Sequence, residues 1–209
     1  MRAMFLSLLA AFVFGIIPRA TAQEFSADVV YTTVKSKTSS PATADTLDHS
    51  SKLYVRKDKI RLETNGFSGT VLLVDASDHS ALALFPGHRG YQKVGYAPSE
   101  FFAVRDPENA CPDWSMASAQ KIACEKIGPG TVDGRKAVKY QNKDAKEGSA
   151  KTLWIDASLK FVVKWETPNT TAELHNIKEG TQAAELFTVP ADFSVLRPRK
   201  TATKGFAKR

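Results

Sequence analysis

The sequence predicts a mainly β protein, an antiparallel sheet that curls into a barrel or a partly open one. Three observations carry this. Two-residue alternation of apolar and polar side chains dominates from Phe25 onward. Tight-turn residues recur at short intervals between the alternating runs. Almost no stretch keeps a helical period, so the count is about ten or eleven strands and one short helix.

Each element follows from its residues. Phe25 to Val34 is rich in β-branched and aromatic side chains and reads as a long first strand. Residues 36–50 are Ser, Thr, Ala, Asp and Lys around Pro41, a polar loop. Lys52–Arg56 and Lys59–Glu63 form a hairpin turning at Lys57-Asp58, and Thr70–Asp75 is an apolar strand. Ser80–Phe85 follows and stops at Pro86-Gly87; Gly90–Val94 comes next. Pro98, Pro107 and Pro112 then prevent regular pairing over 95–122, where Trp114 to Ile122 can form the short helix. Strands resume with Ala123–Ile127, and Gly128-Pro129-Gly130 is expected to turn. Asp133-Gly134 is a hairpin signal ahead of Arg135–Gln141. Thr152–Asp156 and Phe161–Glu166 flank the turn 157–160; Thr171–Lys178 is a further strand, and 184–189 runs to Pro190.

The ends differ from the middle. Residues 1–22 have one early cation, an uncharged apolar run from Phe5 to Ile17, and Ala20-Thr21-Ala22. This is the pattern of a secretory signal peptide cleaved before Gln23, with a run too short to cross a bilayer. The sequence thus predicts a periplasmic or secreted protein with no later membrane span, organised as signal 1–22, one domain over 23–196 and a basic disordered tail over 197–209. The net charge of +7 is carried by the ends: Arg2 and Arg19, then six cations after Leu196. The middle is close to neutral, without the basic stripe that nucleic acid requires.

Cys111 and Cys124 are the two cysteines, in a segment of loop character. In an exported chain such a pair is expected to form a structural disulfide. The alternatives are a redox pair, which would show C-x-x-C, and a metal site, which would need about four close ligands; no histidine stands near. No metal and no cofactor are expected.

The order of short motifs resembles one known superfamily. Ser51 to Glu63 reads strand, basic turn, then a strand with Arg61-Leu62-Glu63. After it come the strand ending at Asp75, Leu82 to Phe85 with Pro86, and Tyr91. Val132-Asp133-Gly134-Arg135, Leu153-Trp154-Ile155-Asp156 and Phe187 to Phe193 complete the series. The chain is similar here to the LolA/LolB-like periplasmic lipoprotein carriers, and in particular to their uncharacterised exported relatives, which start directly on a strand. The resemblance implies a strongly curved antiparallel sheet, an incomplete half-barrel with a helical or loop lid. It also implies a lipid or lipoprotein acyl chain as ligand; the alternative reading of the chain is an interaction module that senses or docks an envelope protein through the sheet edge or the loop 36–50. Two departures stand out: no amphipathic helix precedes the first strand, and the basic turn is Lys57-Asp58 rather than Arg-Pro.

No catalytic constellation is legible. The histidines His49, His79, His88 and His175 lack metal-ligand spacing, and Ser77-Asp78-His79 are adjacent residues, which cannot form a triad that meets across a fold. A non-catalytic protein is expected. Leu72, Val74, Leu82, Leu84, Trp154, Val163 and Trp165 are the candidates for one concave apolar face. Phe101, Phe102, Trp114 and Met116 are the candidates for its lid. Either this lid fills the sheet and completes an ordinary core, or it gates a cavity for an apolar ligand.

Overall fold

The computed structural model describes residues 24–33, 51–64, 69–96, 100–118, 121–146 and 149–196. The predicted signal segment, the 36–50 loop with His49, Pro98 and the basic tail lie outside them.

Twelve strands form one sheet. They are β1 (Phe25–Thr33), β2 (Ser51–Arg56), β3 (Lys59–Glu63), β4 (Val71–Asp75), β5 (Ser80–Phe85) and β6 (Gly90–Val94) in the first half. The second half holds β7 (Cys124–Val132), β8 (Arg135–Asn142), β9 (Thr152–Asp156), β10 (Phe161–Glu166), β11 (Thr170–Glu179) and β12 (Ser194–Val195). The order across the sheet is β12-β6-β5-β4-β3-β2-β1-β11-β10-β9-β8-β7. Two local meanders therefore meet at β1, which pairs antiparallel with β2 on one side and β11 on the other. Strands β12 and β7 each have one neighbour, so the curved sheet is open, a mainly β fold with a single short α-helix among the described residues.

Most turns follow their residues. Asp133 and Gly134 take φ of 46° and 75°, the left-handed pair that a tight β7–β8 hairpin requires. Asp156 closes the β9–β10 turn: one carboxylate oxygen accepts from the backbone N–H of Ser158 and Leu159, while the other accepts from Arg135 Nε at 2.5 Å.

Three expectations are corrected. Gly128-Pro129-Gly130 does not turn: β7 continues to Val132 with a bulge between Lys126 and Gly128. Strand β7 is the sheet's outermost strand, and an edge is where proline costs no ladder bond. The helix, α1, spans Cys111–Ala117 rather than starting at Trp114. Pro112 sits in its first turn, where no N–H is needed, and Ser118 ends it by donating its hydroxyl to Trp114 O at 2.8 Å. Finally, residues 184–187 form a 3-10 turn, and the chain then adds β12, parallel to β6.

The sheet carries two apolar clusters. The larger one joins Phe25, Val29, Leu53, Ile60, Val74, Leu153, Ile155, Phe161 and Leu174 with the residues of the 100–118 segment that cover them. The smaller one, Val71, Leu73 and Leu84 with Leu82, Tyr91 and Phe193, lies where the C-terminal stretch packs.

Candidate functional site

The lid is tied to the sheet by a disulfide, by the Tyr140 hydroxyl and by backbone bonds from Val104 N to Lys160 O and from Val162 N to Phe102 O, and it is braced within itself by Asp113. Cys111, the first residue of α1, is bonded to Cys124, the first residue of β7, with Cα atoms 5.6 Å apart. The buried Tyr140 hydroxyl donates to Pro107 O at 2.8 Å and accepts from Ala110 N at 3.2 Å. Asp113, also buried, accepts from the Arg105 backbone N–H at 2.9 Å and from Arg105 Nε at 2.7 Å. A seven-residue helix with no side-chain cap does not hold itself together; these ties do.

The lid fills much of the face it covers. Phe101, Phe102 and Trp114 are buried at 1%, 8% and 3% exposure. Met116 is not: it stands 69% exposed. Beside it a cleft of about 240 Å³ opens between lid and sheet. Its apolar lining includes Ile60, Val74, Phe101, Phe161, Met116 and Ala117; Lys57, Asp58, His79 and Asp113 line it too, with the Tyr96 ring 5.3 Å from that of His79.

The seven residues expected on one apolar face are divided. Leu72, Val74, Val163 and Trp165 belong to the lid-side cluster, and Val74 reaches the cleft. Leu82 and Leu84 pair with Leu73 and Val71, so they face the other side, in the smaller cluster. Trp154 also belongs to the larger cluster, but it alternates with Leu153 and Ile155 along β9. It shares register with Lys139 and Lys164, whose ammonium groups lie 4.7 and 5.0 Å from its ring centroid. The single-face expectation is thus corrected by register: directly paired residues point the same way, successive ones do not.

Sequence reasoning missed Ile60, Tyr96 and Phe161. Ile60 had a usable signal, its place in the alternation of β3. Tyr96 had none, since it follows Gly95 beyond the end of β6.

The site's ionisable groups are mostly committed. Burial opposes ionisation of Asp75, but hydrogen bonds from Ser77, Lys59 and the Asp78 backbone hold its pKa below the usual carboxyl value. The Ser77 hydroxyl is thus bonded to Asp75, at 2.6 Å, rather than to His79. Burial, aided by Asp75, pushes the Tyr96 phenol up. Burial alone does the same to Tyr31. Among the described residues no group of three His, Cys, Asp or Glu is placed to hold a metal. No described helix is long and apolar enough to cross a membrane.

Glu100 gives a pH prediction. Burial raises its pKa, against one backbone hydrogen bond from Ala150. A carboxyl with a folded-state pKa above its unfolded one costs nothing below the unfolded value, and its penalty grows as pH rises through the folded value. Glu100→Gln is therefore expected to raise the Tm at pH 7 and leave it unchanged near pH 3, in paired thermal melts.

Neither a family model nor a curated protein matches the sequence. Solved structures do match the fold. An uncharacterised conserved protein from Thermus thermophilus is 10% identical, with 85% of this chain and 91% of that one covered, at a TM-score of 0.52. PNGF-II is also 10% identical, over 84% of this chain and 31% of its own, at 0.51. A Vibrio parahaemolyticus domain assigned provisionally to outer membrane lipoprotein sorting is 12% identical, over 79% and 89%, at 0.36. The present chain spans about a third of PNGF-II. It carries, in sum, a fold shared with the Thermus protein and with that third of PNGF-II.

Proposed function

We propose that this is an exported, non-catalytic binding protein that holds a lipid or other apolar group between the 100–118 lid and the sheet. The folded unit is residues 23–196. One observation carries the reading: beside an otherwise filled face lies a cleft whose lining is mostly apolar and whose lid presents an exposed methionine. Met116 is also the only methionine after the predicted leader. A thioether at a lid edge adapts to apolar ligands of varied shape, and burial of such a ligand yields about 25 cal/mol per Å². No cofactor enters this work, and the leader and the disulfide fit an envelope or extracellular setting.

The test is direct. A neutral naphthylamine probe should bind the mature protein with a rise in fluorescence. Met116→Asp should weaken it about tenfold or more, because an unpaired carboxylate then borders the apolar wall. The exposed position should leave the Tm within about 2 °C. An unchanged affinity in Met116→Asp, or no binding by the wild type, defeats the proposal.

A second reading has its own observation. Phe101, Phe102 and Trp114 already bury themselves under the lid, as they would in an envelope interaction or sensing module with a filled core and no small-molecule ligand. Native mass spectra separate the two: co-purifying lipid supports the first, and a clean apo mass with a tight envelope-protein complex supports the second.

A further inference from the structure

Among the described side chains, one buried polar atom lacks a hydrogen-bond partner: Trp165 Nε1. Such a group is rare in a native interior and calls for an explanation. Its surroundings narrow the choice. The Trp165 ring stands 6.2 Å from Tyr31 and 6.2 Å from Phe101, centroid to centroid. Phe101 in turn lines the apolar cleft. Across the sheet Trp165 is paired with Leu153 and Ala172, both fully buried. The indole N–H is thus set among apolar and aromatic groups, one ring away from the cleft.

An indole N–H only donates, so its missing partner is an acceptor. Its neighbours Tyr31, Phe101, Leu153 and Ala172 carry no positive charge, so a carboxylate or phosphate brought to the indole would leave water with no cation among them, at heavy cost. Neutral acceptors remain. We propose that Trp165 Nε1 is the polar anchor of the ligand site, donating to the carbonyl oxygen of an uncharged ester or amide whose apolar chain lies in the cleft past Phe101. This assignment rests on the binding-protein reading above and deepens it. Trp165 is a specificity-determining residue: it selects the head of the ligand, while the apolar wall holds the chain. For the carbonyl to reach the indole, the Phe101 ring, 1% exposed, must change rotamer while the backbone beside it stays bonded to β10 through Phe102 O.

The experiment displaces the naphthylamine probe from the full mature protein with three ligands of matched chain length: a methyl ester, a dialkyl ether and the free carboxylate at pH 8. Wild type should prefer the ester to the ether roughly fivefold, the size of one net hydrogen bond. Trp165→Phe keeps an apolar ring but no donor; it should erase that preference while leaving ether affinity nearly as it was. A wild type that binds ester and ether equally overturns the anchor and leaves the binding reading standing. Preference for the carboxylate overturns the neutral head. No displacement by any ligand, with no probe binding, overturns both. Should Trp165→Phe fold poorly, the indole ¹H–¹⁵N resonance of Trp165 in the wild type decides. It should move downfield with the ester and stay with the ether; movement with neither overturns the anchor.

Discussion

Replacing Trp114 by alanine is expected to lower the unfolding free energy by about 3–5 kcal/mol, the range for removing a large buried aromatic and leaving its cavity. The residue is 3% exposed and belongs to the lid-side cluster. Urea denaturation followed by far-UV circular dichroism reads the effect as a lower midpoint. The same variant bears on function. If α1 is a lid plugged by its own tryptophan, the cavity created joins the space beside Met116 and Ala117, and the naphthylamine probe binds more strongly even as the protein weakens. A loss below about 1 kcal/mol would mean that α1 is only loosely seated, and the account of the lid would fail.

Removing the disulfide should cost nearly as much. Cys111→Ser with Cys124→Ser releases a loop closed over a sequence separation of 13, and the chain-entropy model gives about 3 kcal/mol for a loop of that size. Most of the loss reflects a freer unfolded chain. The folded-state effect is local: α1 remains tied to the sheet through Tyr140 and braced against the rest of the lid through Asp113. Thermal melts with and without reductant should therefore show wild type falling to the level of the double variant, with the variant itself indifferent to reductant. A wild-type Tm insensitive to full reduction would remove the bond from the account of how the lid is held.

The strands were legible because alternation is a local property. Each of the runs from Phe25 to Lys178 that reads as a strand lies within one in the structure, to within a few residues at its ends. What alternation cannot report is which face is which. Leu72 and Leu82 look equivalent in sequence, yet the β4–β5 hairpin sets Leu73 opposite Leu82, which sends Leu72 and Leu82 to opposite sides. Edge position is equally hidden. Gly128-Pro129-Gly130 reads as a turn unless one knows that β7 has no outer neighbour among the described residues. Among the lid residues, size and aromaticity signalled that Phe101, Phe102 and Trp114 matter, but not that Met116 alone would face out. The orphan Nε1 of Trp165 could not be foreseen at all, because its lack of a partner is a property of the whole packed interior.

The place of β1 in the sheet has a consequence for how the chain reaches this state. Strands β2 to β6 pair in sequence order, as do β7 to β11, so each arm can zip up through short hairpins. Strand β1 is different: Phe25 must find Val55 on one side and Glu179 on the other. The first strand to emerge from any N-to-C delivery thus waits for nearly the last before its second edge is covered. Closing so long a loop is the step of highest contact order in this topology, and such pairings form late and slowly. Until then β1 offers an uncovered strand edge of nine residues, and that interval is when the nascent protein is most exposed to mispairing with other chains.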